Sequence, residues 1–470
     1  MADDWATFGA DLHLELSGKG LRNGLMDALR EAVRSGRLAA GVRLPSSRSL
    51  AADLGMARNT VADAYAELVA EGWLTARQGS GTRVAPRSAP RRPTVPGRAP
   101  AAPPTAGKPA YNLRPGTPDL ASFPRAEWLK ASRKALMAAP HEAFGYGDPR
   151  GRIELRTVLA EYLARARGVH ATPERIVVCS GFVHGLMLMG QVLWARGVRE
   201  VAVESYGLSI HWDLLSRAGI RTPALPLDEH GTRTEELGTG ELSAVGAVLM
   251  TPAHQFPLGG ALLPDRRAAA VDWARAADGV ILEDDYDGEF RYDRQPVGAL
   301  QGLDPERVVY LGTASKSLAP GLRLAWMVLP EHLADEVAAA KGAIDWMSSA
   351  TDQLTFAEFL ASGAYDRHVR AMRLRYRRRR DQLVAAVAAR SPETRISGIA
   401  AGLHAVLELP AGTEASVTRA AAFQGLALQG VNRFRHPSAP PSRDALVVGY
   451  ATPPDSAWSG ALESLCRVLP

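Results

Sequence analysis

Two short strings carry side chains of the types and spacing that carbonyl chemistry on an amine requires. In EDDYDGEFRY, residues 283–292, acidic residues and a tyrosine follow the apolar run GVIL. Extended backbone alternates faces, so Asp284 and Tyr286 share one side of the chain and Asp285 takes the other. A buried carboxylate beside a phenol suits a pyridine cofactor. The carboxylate keeps the ring nitrogen protonated, and the phenol donates to a ring hydroxyl. In YLGTASKSLAPGLRLAW, residues 310–326, Lys316 sits in a loop of small residues, with Arg323 seven positions later. A lysine that condenses with an aldehyde needs partial desolvation to free its lone pair. Thr313, Ser315 and Arg323 supply hydroxyls and a guanidinium for a phosphate dianion. A third string, CSGFVHGL at 179–186, sets Ser180 and Gly181 at a helix start, where backbone N–H groups and the helix dipole favour an anion.

Each of these residues alone has an ordinary reading. A loop lysine is usually a solvated charge, and Asp284 by itself is a cap or a surface carboxylate. Acidic strand end, loop lysine, arginine at plus seven and phosphate loop together favour a cofactor site. No GxGxxG string is present, so a dinucleotide has no support.

The elements that must position these residues are legible as short apolar runs alternating with helical patterns. RIVVCSG, EVAVES, AVGAVLMT, GVILEDD, RVVYLGT and LRLAWMVL read as buried strands, which predicts a mostly parallel sheet covered on both faces. Ligands of such sheets gather beyond the strand carboxyl ends, where the three strings lie. With 470 residues the chain is too long for one core. Residues 85–110 are about one-third proline, with Ala, Arg, Gly, Ser and Thr making up most of the rest, a tether rather than a fold. The expected division is a first domain over 13–85, a linker over 86–110 and a second domain over 111–470.

Composition excludes several classes. Cys179 and Cys466 are the only cysteines and have no CxxC spacing, so neither disulfide framework nor metal site is indicated. The N-terminus lacks the basic and apolar regions of a secretory signal, and no apolar run approaches a membrane span. A cytoplasmic protein is expected. The net charge of +5 does not by itself point to nucleic acid. Residues 1–85 hold ten basic and ten acidic residues, whereas 86–110 hold five basic and none acidic.

The first unit reads as three helices and a hairpin. Leu21, Leu25, Leu29 and Val33 keep helical spacing up to Gly36. Pro45-Ser46-Ser47 starts a second helix that stops at Gly55, and Val61, Ala64, Tyr65 and Leu68 mark a third that ends at Gly72. Strand signals then flank RQGSG. Helix, turn, helix and wing is a layout that places a recognition helix in a major groove. The string LPSSRSLAADLGMARNTVADAYAELVAEGWLTARQGSGTRV, residues 44–84, resembles the GntR family of winged-helix regulators. The resemblance implies that Arg48, Arg58, Asn59, Thr60 and Gly79 contact double-stranded DNA. Ala57 stands where the family often has a capping serine, so the third helix should start more weakly.

The C-terminal strings, with NLRPGTPDLASFP at 112–124, FGYGDPRG at 144–151 and TPAHQFPLGG at 251–260, resemble the fold-type I aminotransferases. With the GntR-like head, the whole chain resembles the MocR/GabR family of regulators. That resemblance implies pyridoxal 5'-phosphate, with Lys316 as the Schiff-base lysine, Asp284 on the pyridine nitrogen and Tyr286 on the ring hydroxyl. Ser180, Gly181, Thr313, Ser315 and Arg323 would hold the phosphate, with Phe182 and Gln255 also at the cofactor. Tyr146 would reach the phosphate of a neighbouring subunit, implying a head-to-tail, domain-swapped homodimer with shared sites.

Two columns depart from the family. A ring-stacking tyrosine often closes the strand after residue 200; here Leu208 holds its column and Tyr206 stands two residues earlier. The arginine that binds a substrate carboxylate is replaced by Val447 in ALVVGYA, with Arg433, Arg435 or Arg443 as substitutes. The expectation is a transcriptional regulator in which cofactor at Lys316, or its adduct with an amino acid or amine, modulates promoter binding; vitamin B6 is the favoured signal. The alternatives are an active aminotransferase carrying a DNA-binding module and a scaffold that has lost its cofactor. One motif is left over: HVRAMRLRYRRRRDQL, residues 368–383, has seven arginines on a helix. It reads either as an ion-paired solvated face or as a second, sequence-independent phosphate contact.

Overall fold

The computed structural model describes residues 20–77, 81–86, 109–292, 297–440 and 443–470. The chain divides into two units, Met1–Thr105 and Ala106–Pro470.

In the first unit, α1 (Leu21–Arg34), α2 (Ser47–Asp53) and α3 (Arg58–Ala70) bury Leu25, Leu29, Val33, Leu50, Val61, Ala64, Tyr65 and Leu68 in one core. Leu21, read from the pattern as part of that face, is 62% exposed at the helix start. Ser46 caps α2, its hydroxyl accepting from the Ser49 N–H at 3.1 Å. Ala57 precedes α3 and gives it no side-chain cap. Past α3, Gly72 turns the chain at φ +81°, a conformation that favours glycine, and lets Trp73 bond back to the Leu68 carbonyl. The antiparallel strands Leu74–Arg77 and Gly81–Val84 form the hairpin.

The second unit is built on a seven-stranded sheet. Its order is Ile176–Cys179, Ala325–Val328, Val308–Thr313, Val280–Asp285, Ala247–Met250, Val201–Glu204 and Ala224–Leu225. Only Ala325–Val328 runs antiparallel to its neighbours. The two-residue edge strand Ala224–Leu225 carries too short a pattern to be read from sequence. The register aligns Asp284 with Leu311 and Thr313 with Ala325, which in turn faces Cys179. Three carboxyl ends therefore share one edge of the sheet, and the loops that follow them begin together.

Helices α4 (Arg125–Ala138), α5 (Ile153–Arg167), α6 (Phe182–Ala195), α7 (Ser209–Arg217), α8 (Pro264–Ala276), α9 (Glu331–Asp345) and α10 (Ala350–Ala361) pack around this sheet. The long α11 (Ala364–Arg390) leads to a smaller four-stranded sheet, flanked by α12 (Glu414–Phe423) and α13 (Asp455–Val468). Tyr111–Asn112 pairs in parallel with Leu426–Ala427, so the first residues of this unit are pinned to its last third. Among the described residues, no helix is long and apolar enough to cross a membrane.

Candidate functional site

The strand Val280–Asp285 is buried along its whole length, three carboxylates included. Two of them face away from the site and are satisfied. Asp285 takes two hydrogen bonds from Arg167, at 2.6 and 3.0 Å, and one from the Tyr310 hydroxyl at 2.8 Å. Glu283 accepts from the backbone N–H groups of Leu300 and Gln301 at 2.7 and 2.9 Å. Asp284, on the opposite face, has one carboxylate oxygen buried with no hydrogen-bond partner among the described residues. Burial pushes its pKa up, with the Lys316 charge pulling it back.

Asp284 lines a cavity of about 440 Å³ together with Tyr286, Thr313, Ser315, Lys316 and Phe182. Lys316 reaches the Gly116 carbonyl at 2.6 Å, and burial lowers its pKa against the pull of Asp284 and Asp287. The Tyr286 hydroxyl lies 3.0 Å from His254 Nδ1, which is 2.9 Å from Asp287 Oδ2. Thr313 donates to the Ser315 hydroxyl at 2.8 Å and accepts the Ser315 N–H. Gly181 precedes α6 with φ +90°. A Cβ there would fall 2.5 Å from the Arg323 guanidinium, which itself donates to the Ser180 carbonyl. Loop Ser180–Gly181 and residue Arg323 are thus locked together beside Phe182.

Five expected residues stand outside the cavity lining: Ser180, Gly181 and Arg323 in the loop just described, and Gln255 and Tyr146 elsewhere. Gln255 is buried but does not line the cavity. Its amide donates to the Tyr206 and Phe256 carbonyls and accepts from the Leu258 N–H, so it holds the 251–260 loop. Tyr146 is 89% exposed, its ring edge-on to Trp346 at 5.7 Å. Tyr206 and Leu208 both line the cavity, the former buried and the latter 38% exposed.

Sequence reading missed several neighbours. His211 lines the cavity with its ring 4.6 Å from that of Phe182, and burial, with Lys316 nearby, lowers its pKa to about 4. His404 lies beside His254, with ligand-type atoms of His254, Asp287 and His404 all within 4.8 Å. No motif announces these histidines: His211 lies on α7 and His404 just before the strand Ala405–Glu408, far apart in sequence.

Val447 is fully buried, packed with Val431, Phe434 and Tyr206. The column that carries a carboxylate-binding arginine in aminotransferases is therefore core here. Of the three possible substitutes, Arg435 donates to the Ala439 carbonyl and Arg443 pairs with Glu408 at 3.0 Å. Arg433 alone among them lines the Lys316 cavity.

In the first unit, Arg48, Arg58 and Asn59 are exposed and Thr60 is half-buried at the start of α3. Gly79 lies outside the described residues. Arg43 and Arg83 form a bridge at the base of the hairpin, with Arg77 exposed on its first strand. These three arginines were not singled out from the sequence, although Arg77 opens RQGSG and Arg83 lies two residues past it.

Residues 21–84 match the family described as bacterial regulatory proteins of the gntR family, and residues 110–443 match aminotransferase class I and II. The pyridoxine biosynthesis transcriptional regulator PdxR of Corynebacterium glutamicum is 35% identical over 386 residues, 82% of each chain. The probable rhizopine catabolism regulatory protein MocR of Rhizobium meliloti is 32% identical over 454 residues, 91% of this chain and 89% of that one. Among solved structures, a multiple substrate aminotransferase from Thermococcus profundus superposes with a TM-score of 0.68 at 25% identity, covering 78% of this chain and 92% of its own. An archaeal alanine:glyoxylate aminotransferase gives 0.68 at 24%, covering 76% and 90%. A DNA-binding head of one family and an aminotransferase body of another are thus shared, in the same order, with relatives that align along most of their length, and the chain belongs to the MocR-type, GntR-family transcriptional regulators.

Proposed function

We propose that the Lys316 cavity binds pyridoxal 5'-phosphate and that its occupancy changes how tightly the first unit holds promoter DNA. The observation that carries this reading is the partnerless buried oxygen of Asp284 in a cavity that also holds a lysine amine. A buried acceptor without a donor costs about 1–3 kcal/mol, and a protonated pyridine nitrogen would supply the donor. The cofactor, when bound, supplies an aldehyde that condenses reversibly with an amine.

The chain's own groups have matching tasks. Desolvation keeps more of Lys316 neutral, and so nucleophilic, than an exposed lysine would be. Tyr286, set by His254, donates to the ring hydroxyl. Ser180, Gly181, Thr313, Ser315 and Arg323 hold the phosphate, and Phe182 and His211 wall the ring. Val447 argues for sensing rather than turnover, since a transaminated amino acid needs a carboxylate anchor. The signal is accordingly the B6 vitamer itself. A second reading rests on Arg433, whose place in the cavity suits an amine or amino acid effector bearing a carboxylate.

The regulator acts in the cytoplasm as a homodimer, with a DNA-binding domain over 13–85, a tether over 86–110 and an effector domain over 111–470. The dimer is supported by exposed apolar side chains on one stretch of the second unit, among them Met137 at 83%, Leu129 at 67% and Phe144 at 53%, with Tyr146 beside them. The test is DNA retention by the region upstream of the protein's own gene, with and without pyridoxal phosphate. A shift in apparent affinity that Lys316→Ala abolishes is expected. An unchanged affinity, or a shift that persists in Lys316→Ala, refutes the reading.

A further inference from the structure

The arginine run of α11 does not behave as one solvated face. Arg379 is buried, donating to the Pro453 carbonyl at 2.7 Å and pairing with Asp119 at 3.1 Å and with Asp455. Arg375 reaches the same two carboxylates at 3.5 and 3.4 Å. These residues tie α11 to the body. Nearer its start, Arg370 and Arg373 turn instead toward α5 and line a separate cleft of about 450 Å³ that shares no residue with the Lys316 cavity.

Five guanidiniums line this cleft, those of Arg165, Arg167, Arg291, Arg370 and Arg373, against one carboxylate, Asp366. Arg167 is neutralised by Asp285 behind it, and Arg165 pairs with Asp366 at 2.9 Å. Arg373 uses two of its nitrogens on the Glu289 carbonyl, at 2.9 and 2.6 Å, and so keeps its charge. Arg370 makes no ion pair or side-chain hydrogen bond among the described residues, and it is exposed. Glu289 does little to offset them. Burial and the neighbouring Asp285 push its pKa up to about 7, and its carboxyl lies 3.3 Å from the hydroxyls of both Tyr162 and Tyr365. A concave site with two uncompensated guanidinium charges on one helix, beside the Asp366-paired Arg165 on another, offers the charge and N–H donors that phosphate oxygens accept.

We infer that the cleft between α5 and α11 binds a phosphoryl group, held by Arg165, Arg370 and Arg373. Its concavity favours a small phosphate ester over the convex edge of a duplex. Binding adds charge-assisted hydrogen bonds and breaks no covalent bond.

The test uses the full chain with pyridoxal phosphate added, titrated calorimetrically with inorganic phosphate at constant ionic strength against chloride. Saturable binding is expected, and it should weaken about tenfold or more in Arg165→Gln/Arg370→Gln, the loss of one or two charge-assisted hydrogen bonds. Arg370→Lys, which keeps the charge and loses the fork, should fall between. An unchanged thermal midpoint certifies the fold of each variant. Phosphate captured by the Ser180–Arg323 loop would be insensitive to these substitutions, so failure here leaves the cofactor reading intact. No saturation above the chloride control, or equal affinity in the double variant, overturns the proposal. A second arm locates the phosphoryl group: a salt slope of DNA binding shallower by about 1–2 in the double variant assigns it to a duplex backbone, at roughly 0.9 per phosphate neutralised, and equal slopes assign it to a free ester.

Discussion

Gly181 and Glu289 show how single positions set the conditions of this fold. Gly181 allows the Arg323 guanidinium to lie where any side chain would begin, and its φ of +90° disfavours other residues. Gly181→Ala should therefore displace Arg323 and weaken pyridoxal phosphate binding at least about tenfold, a loss of one charge-assisted contact, as read by a spectroscopic titration. Glu289 has its folded pKa raised from 4.5 to about 7, burial being the main cause. The folded state then holds a proton that the unfolded chain releases, so this group's contribution is fully present below pH 4.5 and is lost as pH rises through 7. Thermal midpoints at pH 5 and pH 8 should differ less in Glu289→Gln than in wild type; an equal or larger difference contradicts the assignment. What sequence reveals at this scale depends on locality. Alternation along one strand separates Asp284 from Asp285 because a strand has only two faces. His211 and His404 join the Lys316 cavity only through the fold, and no local pattern marks them. Gln255 shows the converse, since its motif lies near the site while its amide is held by backbone groups.

At the scale of elements, the weak start of α3 and the buried strand Ala445–Val448 give two contrasting expectations. Ala57→Ser would supply an acceptor for the free N–H groups of α3 and stabilise the first unit by about 0.5–2 kcal/mol, measured by denaturant unfolding of its tryptophan signal. The midpoint falling instead would show that residue 57 is constrained by something other than capping. Val447→Arg restores the residue type of an aminotransferase clamp but places it in core, between Val406 and Gln429 on neighbouring strands. It should destabilise by on the order of 3–5 kcal/mol, as an uncompensated buried charge does, without creating amino acid affinity. The six longer strands of the main sheet were readable as apolar runs, because burial on both faces removes the polar alternation that would otherwise blur them. Ala224–Leu225 was not, since two residues hold no period. The arginine run on α11 was ambiguous for a related reason: a helix face seen in sequence does not say which neighbour covers it.

For the molecule as a whole, two units of unequal size with separate cores imply more than one unfolding transition. Pyridoxal phosphate at a hundredfold excess over its dissociation constant should stabilise the second unit by about 2.7 kcal/mol and leave the first transition unmoved. Calorimetry in the presence and absence of the cofactor checks this, and a shift of both transitions would mean that the units unfold together. The family assignment makes regulation of transcription the role of that arrangement.

The hydrogen bond from Lys316 to the Gly116 carbonyl ties the reactive nitrogen to the stretch of backbone by which the second unit begins. Were that nitrogen to hold a carbonyl compound, it would keep at most one hydrogen and lose its place at this carbonyl. Gly116 must then find water or another donor, at a difference of about 1 kcal/mol, roughly fivefold in an equilibrium. A change at that one atom would thereby reach residue 116, six residues past the proline-rich stretch.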